Sequence, residues 1–184
     1  MTMLNPSPTS TFVDHLVRMA TSADWTARAE AAEHPATPGA ILIELAADPQ
    51  ADVRLGVARN ISAPAAALQL LATDVDTAVC QAVAAHPAAT SAILSVLAFS
   101  ASVATRQAVA AHLSSSAKTL RLLAFDLEWC VRRQVARNPI TPPEILCVLG
   151  ADPGWGVQAS VALNGGAPLQ VVAEYLGAQV AEIR

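Results

Sequence analysis

Tryptophan and arginine side chains recur at a fixed spacing along this chain of 184 residues. Arg28 and Arg54 stand 26 residues apart, and a tryptophan stands three residues before Arg28. Because tryptophan and arginine dominate the binding free energy of many protein interfaces, this spacing predicts a row of partner-binding side chains on one face. The candidate partner-binding residues are Trp25, Arg28, Arg54, Arg106, Trp129, Arg132, Arg133 and Trp155.

Both residue types have an alternative interpretation, which the sequence leaves open. Asp24 and Arg28 have the i,i+4 spacing of a helical ion pair, as do Glu128 and Arg132. Further aspartates recur nearby at the same spacing, and the tryptophan rings could cover the seams between structural repeats. On these interpretations the rows would be structural rather than partner-binding.

Histidine and asparagine alternate at another position of the same spacing, with histidine at His34, His86 and His112. One hypothesis is a ladder of metal ligands. The other is that either residue binds backbone groups at a helix end and tolerates an unusual φ. Packed helices lie about 8–10 Å apart, whereas zinc needs nitrogens at about 2.0–2.1 Å. One histidine per repeat therefore does not converge on an ion, and we predict no metal site.

Catalytic motifs are missing from the sequence pattern. The glycine-containing stretch LNGGAPL, residues 163–169, lacks the Lys-Ser/Thr pair that ends a phosphate-binding loop. The spacing also places no cysteine beside a histidine as a nucleophile pair. The sequence therefore predicts a protein that is not an enzyme, with no catalytic residues and no cofactor.

Six copies of a 26-residue unit, without insertions, account for all these spacings. Position 9 of the unit is alanine in every copy, and positions 8 and 22 are valine and leucine in five of the six. Apolar columns at this spacing predict two short helices per unit, which must be stabilised by packing on their neighbours. The predicted fold is an all-α solenoid of six two-helix repeats, in which position 1 is Asp24, Gln50, Asp76, Ser102, Glu128 and Gly154.

Polar residues mark where the helices are expected to begin. Aspartate at position 25, as at Asp48, suits an N-cap for the first helix of the next repeat. Thr37 before Pro38 suits an N-cap for the second helix, and Thr90 and Ser116 suit the same role in other repeats. Positions 18, 19, 22 and 23 form the predicted buried stripe of the second helix.

The outward face of the second helices, at positions 17, 20 and 24, carries several large apolar side chains. Such a row could be a binding surface or a dimer face. For Phe99 and Phe125 we expect packing between repeats instead.

With the columns aligned, the chain resembles the variant leucine-rich repeat family of bacteria. The stretches that carry the resemblance are EWCVRRQVARNPITPPEILCVLGADP, from Glu128, and HPATPGAILIELAADPQADVRLGVARN, from His34. The resemblance implies a right-handed superhelix in which α-helices alternate with 3₁₀ segments, while the 26-residue unit favours two α-helices, as in HEAT or armadillo repeats. One family member carries an iron–sulfur cluster on clustered cysteines, and this chain has no such cluster of cysteines to carry that property over.

The repeat register predicts the organisation of the chain. We expect a flexible segment at 1–8, a half-repeat capping helix at 9–23, the solenoid at 24–179 and a tail at 180–184. Because VAEIR would begin a seventh repeat, an incomplete cap there would favour a homo-oligomer through the C-terminal end.

Composition and the N-terminal pattern indicate the compartment. The first residues show no basic segment followed by an apolar one, so we predict no signal peptide. The uncharged stretch 77–105 keeps the repeat register and contains His86-Pro87, so we predict no membrane span. Three widely spaced cysteines do not form a disulfide framework, which favours the cytoplasm.

Taken together, these patterns predict a non-enzymatic interaction scaffold or adaptor that binds an unidentified protein or peptide along one solenoid face. One alternative is a structural homo-oligomer, indicated by the 53% hydrophobic composition. Another is a HEAT-like solenoid that binds nucleic acid through arginine and tryptophan. The net charge of −4 and the single lysine argue against that alternative, since nucleic-acid-binding domains are usually basic.

Overall fold

The computed structural model describes residues 8–182, and side chains from 11 to 177. In this part of the chain there are 13 α-helices and no strand. The helices are α1 (Pro8–Ala20), α2 (Trp25–Glu33), α3 (Gly39–Leu45), α4 (Ala51–Arg59), α5 (Ala65–Leu71), α6 (Thr77–Ala85), α7 (Ser91–Leu97), α8 (Val103–Ala111), α9 (Ala117–Leu123), α10 (Trp129–Arg137), α11 (Pro143–Gly150), α12 (Trp155–Ala162) and α13 (Leu169–Glu182).

The chain divides into two compact units, with the boundary between Ala89 and Thr90. In the N-terminal unit, α2 packs on α4 and α4 on α6, while α3 packs on α5. In the C-terminal unit, α8 packs on α10 and α10 on α12, while α11 packs on α13. This repeated packing of helix pairs is consistent with an α-solenoid and confirms the predicted all-α class. The number of repeats and the right-handed twist stay predictions.

The predicted apolar columns form the buried interior. Val53 and Val57, at positions 4 and 8, are fully buried, as is Leu68 at position 19. Full burial of one such side chain stabilises the fold by about 1.5–3 kcal/mol. Helices of seven to nine residues are marginal alone, so this burial is what holds them. The second helices before α11 are seven-residue α-helices rather than 3₁₀ segments, as the 26-residue unit favours.

The first helices begin two residues later than predicted. Their N-cap is position 1: Asp24 accepts the N–H of Thr26, and Asp76 accepts that of Ala78. The prediction of an N-cap at position 25 is wrong, because the Asp48 carboxylate accepts the N–H of the residue at position 1 of the next repeat and also binds an arginine. Aspartate at position 25 therefore organises the turn before the helix.

Threonine at position 14 also has a different role from the one predicted. The Thr37 hydroxyl donates to the Ala31 carbonyl at 2.5 Å, which satisfies the end of the preceding helix instead of capping the next one. Position 15 is the true N-cap, occupied by Pro38 in α3. Thr90 and Ser116 occupy this position in α7 and α9, and both accept a backbone N–H as predicted.

The predicted terminal segments lie partly outside the described residues. The predicted flexible segment 1–8 lies outside the described residues except for Pro8, which begins α1. In the predicted tail 180–184, helix α13 continues to Glu182, and 183–184 lie outside the described residues. Among the described residues, none of the helices has both the length and the apolar character that crossing a bilayer requires.

Candidate functional site

The arginine column at position 5 is held inside the repeats. Arg54 Nε and Nη2 lie 2.6 Å and 3.0 Å from the two carboxylate oxygens of Asp74, the aspartate at position 25 of its own repeat. Arg54 Nη1 also donates to the Asp48 carbonyl of the preceding repeat at 2.8 Å. The same arrangement holds Arg28 to Asp48, Arg106 to Asp126 and Arg132 to Asp152, each with an Nε–Oδ2 distance of 2.6 Å.

Arginine and aspartate therefore pair 20 residues apart, not at the i,i+4 spacing considered from the sequence for Asp24 and Arg28. The aspartate side chains are only 5–7% exposed and the arginines 13–16%. The fork of donors on each guanidinium is thus occupied on two sides. These four arginines join repeats together, and their donors are directed inward.

Burial and ion pairing act in opposite directions on the aspartates of these bridges. Burial raises the pKa of the Asp74 carboxyl. The hydrogen bonds from Arg54 and from the N–H of Asp76 lower it by more than burial raises it, so the pKa lies below its usual value. The pKa values of Asp48, Asp126 and Asp152 are lowered in the same way. Because the folded-state pKa is below the unfolded one, the bridges stabilise the fold above about pH 4 and are lost as the pH falls through the lowered values.

Two repeats lack arginine at position 5, and there the substitute makes the same inter-repeat contact. Gln158 Nε2 donates to the Asp152 carbonyl at 2.7 Å, and Cys80 Sγ lies 3.3 Å from the Asp74 carbonyl. Both repeats also lack aspartate at position 25, where Ser100 and Ala178 stand. The carbonyl contact at position 5 is therefore general, and the ion pair is added where both partners are present.

The histidine and asparagine column is a second ladder between repeats. Asn60 Nδ2 donates to the Ala32 carbonyl at 2.7 Å and to the His34 carbonyl at 2.9 Å. His86 Nε2 lies 2.9 Å from the Asn60 carbonyl. The backbone φ at Asn60 is −69°, so the expected unusual φ is wrong, while the expected backbone hydrogen bonds are present. Among the described residues, no three His, Cys, Asp or Glu side chains come together as a metal site.

Of the candidate residues, Trp129, Arg133 and Trp155 come together in the C-terminal unit. The guanidinium carbon of Arg133 lies 6.0 Å from the centroid of the Trp129 ring, within the range of a cation–π contact. Trp129 is 52% exposed and Trp155 is 69% exposed. Arg132 was expected beside them, but its guanidinium is turned to Asp152.

Trp25 lies apart from these residues, on α2 of the N-terminal unit. It is 42% exposed, and its neighbour Arg28 is held by Asp48. Trp25 therefore shares position 2 of the repeat with Trp129 and Trp155 without sharing their surroundings.

A groove of about 590 Å³ is lined by residues of α10 and α12, which pack on one another, and it reaches α13. We call it the tryptophan groove. Its volume is within the usual range of small-ligand sites. Among the described residues that line it, Arg133 is the one charged side chain, and α12 contributes the small residues Gly156, Ala159 and Ser160. The groove is lined by Trp129, Arg133, Trp155, Gly156, Ala159, Ser160, Leu163 and Tyr175.

The sequence did not identify two residues that line the tryptophan groove, Leu163 and Tyr175. Leu163, at position 10, is 88% exposed, and Tyr175 stands at position 22, where the five other repeats have a buried leucine. The break in that leucine column was a signal for Tyr175. No comparable signal marked Leu163, because position 10 has no consensus residue, with Glu33, Arg59, Ala85, Ala111 and Arg137 in the other repeats.

The N-terminal unit contains an equivalent groove between α4 and α6, which we call the α4–α6 groove. One wall uses positions 3, 6, 7 and 10 of α6, the same positions that α12 contributes to the tryptophan groove. Its volume is about 400 Å³, and no Phe, Trp or Tyr side chain is among its lining residues. Its residues are Ala58, Arg59, Ala78, Gln81, Ala82, Ala85, His86 and Pro87.

The second helices of the C-terminal unit present a separate apolar surface. Phe99 is 76% exposed and Phe125 is 69% exposed, so the expected packing between repeats is wrong for both. They stand at position 24, after the helix has ended, where the side chain points to solvent. Position 21, which the sequence reasoning did not assign to the outer face, is exposed as well. The second-helix strip consists of Val96, Phe99, Leu122, Phe125 and Val148.

Comparison with known proteins supports the repeat fold. One solved structure, described as a leucine-rich repeat variant with a novel repetitive protein structural motif, superposes with a TM-score of 0.68 and 26% sequence identity. This chain is similar to a leucine-rich repeat variant. The match covers 88% of this chain and 64% of the other, so this chain spans less than two thirds of that relative. No family model matches the chain, and no curated protein matches it.

Proposed function

We propose that the chain is a non-enzymatic interaction module that binds a segment of a partner protein in the tryptophan groove. The similarity to a leucine-rich repeat variant supports a repeat-protein scaffold. Scaffolds of this kind commonly bind partners along rows of exposed side chains. The position of the groove on such a scaffold is therefore consistent with a binding role.

The observation that carries the proposal is the exposure of two tryptophans beside one another. Trp129 and Trp155 each leave half or more of their surface in water, although the small residues beneath them would allow burial of a further apolar group. Exposed aromatic side chains around a groove are typical of binding hot spots. The four arginines of position 5 are occupied in bridges, so the binding face proposed here is narrower than the face predicted from the sequence.

The proposal is tested by selecting peptides from a random display library on the full chain. We expect selected peptides to bind Trp129→Ala and Trp155→Ala about 30-fold more weakly, because loss of a hot-spot aromatic costs about 2 kcal/mol. Trp25→Ala is the matched control, since Trp25 is also exposed at position 2 but lies in the other unit. Circular dichroism checks that each variant folds. Selected peptides that bind all three variants as tightly as the wild type would contradict the proposal.

The second-helix strip supports a second candidate function, self-association of the chain. Monomeric proteins rarely expose a large continuous apolar patch, and Phe99 and Phe125 lie at its centre. We expect sedimentation velocity to show a concentration-dependent dimer that Phe99→Ser/Phe125→Ser abolishes. Leu70→Ser, at position 21 of the N-terminal unit, is the control, and a monomer at all concentrations would exclude this candidate.

A further inference from the structure

The charge of the tryptophan groove limits what can bind there. Arg133 is exposed, and in the described part of the chain no carboxylate lies within ion-pair distance of its guanidinium. Of the other arginines of α8 to α10, Arg106 and Arg132 are held by buried aspartates and Arg121 lies 3.6 Å from Glu144. Arg137, at the end of α10, does not line the groove. Arg133 is therefore a cation that lines a largely apolar groove and has no acidic partner within the described part of the chain.

The contact with Trp129 positions this cation. A guanidinium that lies over an aromatic ring uses its face for the ring and keeps its in-plane N–H donors for another acceptor. Those donors match the two oxygens of a carboxylate. The ring also restricts the rotamers of Arg133, so less conformational entropy is lost when a carboxylate binds.

The rest of the groove is largely apolar, and its polar groups are the Ser160 and Tyr175 hydroxyls and the indole N–H groups of Trp129 and Trp155. Ser160 Oγ already donates to the Gly156 carbonyl at 2.8 Å, so its proton is occupied. Trp129, Trp155 and Leu163 supply apolar surface at the sides. A ligand that fits must bring a large apolar side chain for this surface and an anion for Arg133.

We propose that the groove binds an extended protein segment in which a large apolar residue stands next to an aspartate or glutamate. The apolar side chain lies between Trp129 and Trp155, and the carboxylate accepts hydrogen bonds from Arg133. This inference rests on the proposed function and names the chemical class of its partner. It assigns Arg133 the role of selecting an acidic segment.

A single strand of nucleic acid could also stack on tryptophan and contact arginine. Binding a strand requires several cations along the sugar–phosphate backbone. Among the described residues, Arg133 is the one cation that lines the groove, because Arg132 is turned to Asp152. A peptide carboxylate, which needs one cation, fits these observations better.

The test uses fluorescein-labelled nonapeptides whose two central residues combine Phe, Leu or Trp with Asp, Glu, Asn, Gln or Lys. We expect the peptides with Asp or Glu to bind the full chain about tenfold more tightly than the matching peptides with Asn or Gln, since a charge-assisted hydrogen bond is stronger than a neutral one. Arg133→Gln should remove this advantage while leaving weak binding of the apolar residue. Raising the salt to about 0.5 M NaCl should also reduce it.

Arg121→Gln is the matched control, because Arg121 is an exposed arginine of the same unit outside the tryptophan groove. It should leave the preference for acidic peptides unchanged. Equal binding of the acidic peptides and their amide counterparts, or a preference for lysine, would overturn this inference. In that case, peptide binding that requires Trp129 would still support the proposed function. If no peptide depends on Trp129, or if oligothymidylate occupies the groove instead, both proposals fail.

Discussion

The tryptophan groove and the α4–α6 groove share the repeat positions of one wall and differ in the side chains that complete them. Positions 3, 6, 7 and 10 form one wall in each. In the C-terminal unit the facing helix adds Trp129 and Arg133, whereas the equivalent positions of α4 are Ala51 and Leu55. The buried columns and the arginine–aspartate bridges are common to both units. The scaffold is thus repeated, and the chemistry is confined to exposed positions that vary.

The first prediction asks whether the scaffold is equally important in both units. Asp74→Ala and Asp152→Ala each leave a nearly buried guanidinium without its carboxylate, so each should lower the free energy of unfolding by about 3 kcal/mol. Urea denaturation followed by circular dichroism measures this change. Glu144→Ala removes an exposed partner and should cost less than about 1 kcal/mol. If only one of the two aspartate substitutions lowers the free energy of unfolding, the bridges of the two units are not equivalent.

The second prediction transfers three side chains of the tryptophan groove to the equivalent repeat positions of α4 and α6. In a chain whose own groove is inactivated by Trp129→Ala, the substitutions Ala51→Trp, Leu55→Arg and Thr77→Trp place the side chains of Trp129, Arg133 and Trp155 at the same positions of the N-terminal unit. We expect fluorescence anisotropy to show binding of the acidic peptides within about tenfold of the wild-type affinity. A folded variant that binds none of them would mean that α13, with Tyr175, is required as well.

The third prediction concerns a difference between the units in the buried interior. Position 4 is Val53 and Val79 in the N-terminal unit but Thr105 in α8, where the hydroxyl is buried and has no hydrogen-bond partner among the described residues. Thr105→Val should raise the free energy of unfolding by about 1 kcal/mol, because it removes an unsatisfied polar atom. Thermal denaturation measures the change. Val79→Thr, the reverse substitution, should lower stability, and a neutral result for both would show that the hydroxyl is not penalised.

Much of the fold was predictable because each buried position recurs six times. Valine at positions 4 and 8 and leucine at 22 indicated two helices per repeat, and the structure buries Val57 and Leu71 as expected. The helix starts were harder to predict, because aspartate is suited both to an N-cap and to an ion pair. At Asp74 the ion pair with Arg54 and the turn contact are what form. A sequence read locally does not show a partner 20 residues away.

The candidate site was predictable only in part. Trp129, Arg133 and Trp155 were identified from residue type and spacing, but Arg132 was placed with them because positions 2, 5 and 6 were taken to share one face of the helix. One residue of difference along a helix turns a side chain by about 100°, and here that rotation separates a buried bridge from an exposed groove. Phe99 and Phe125 were misassigned because an apolar side chain was taken as sufficient reason for burial.

The sequence by itself determined the period, the all-α class and the identity of the buried columns, because burial against identical neighbours imposes the same residue types in every copy. Which arginines are bound by aspartates, and which ones instead line a groove, depends on the tertiary structure. The tertiary structure also brings Tyr175 of α13, and Leu163 at the C-cap of α12, beside the tryptophans. These outcomes depend on distances between residues far apart in the chain, and hydrophobic periodicity carries no information about such distances.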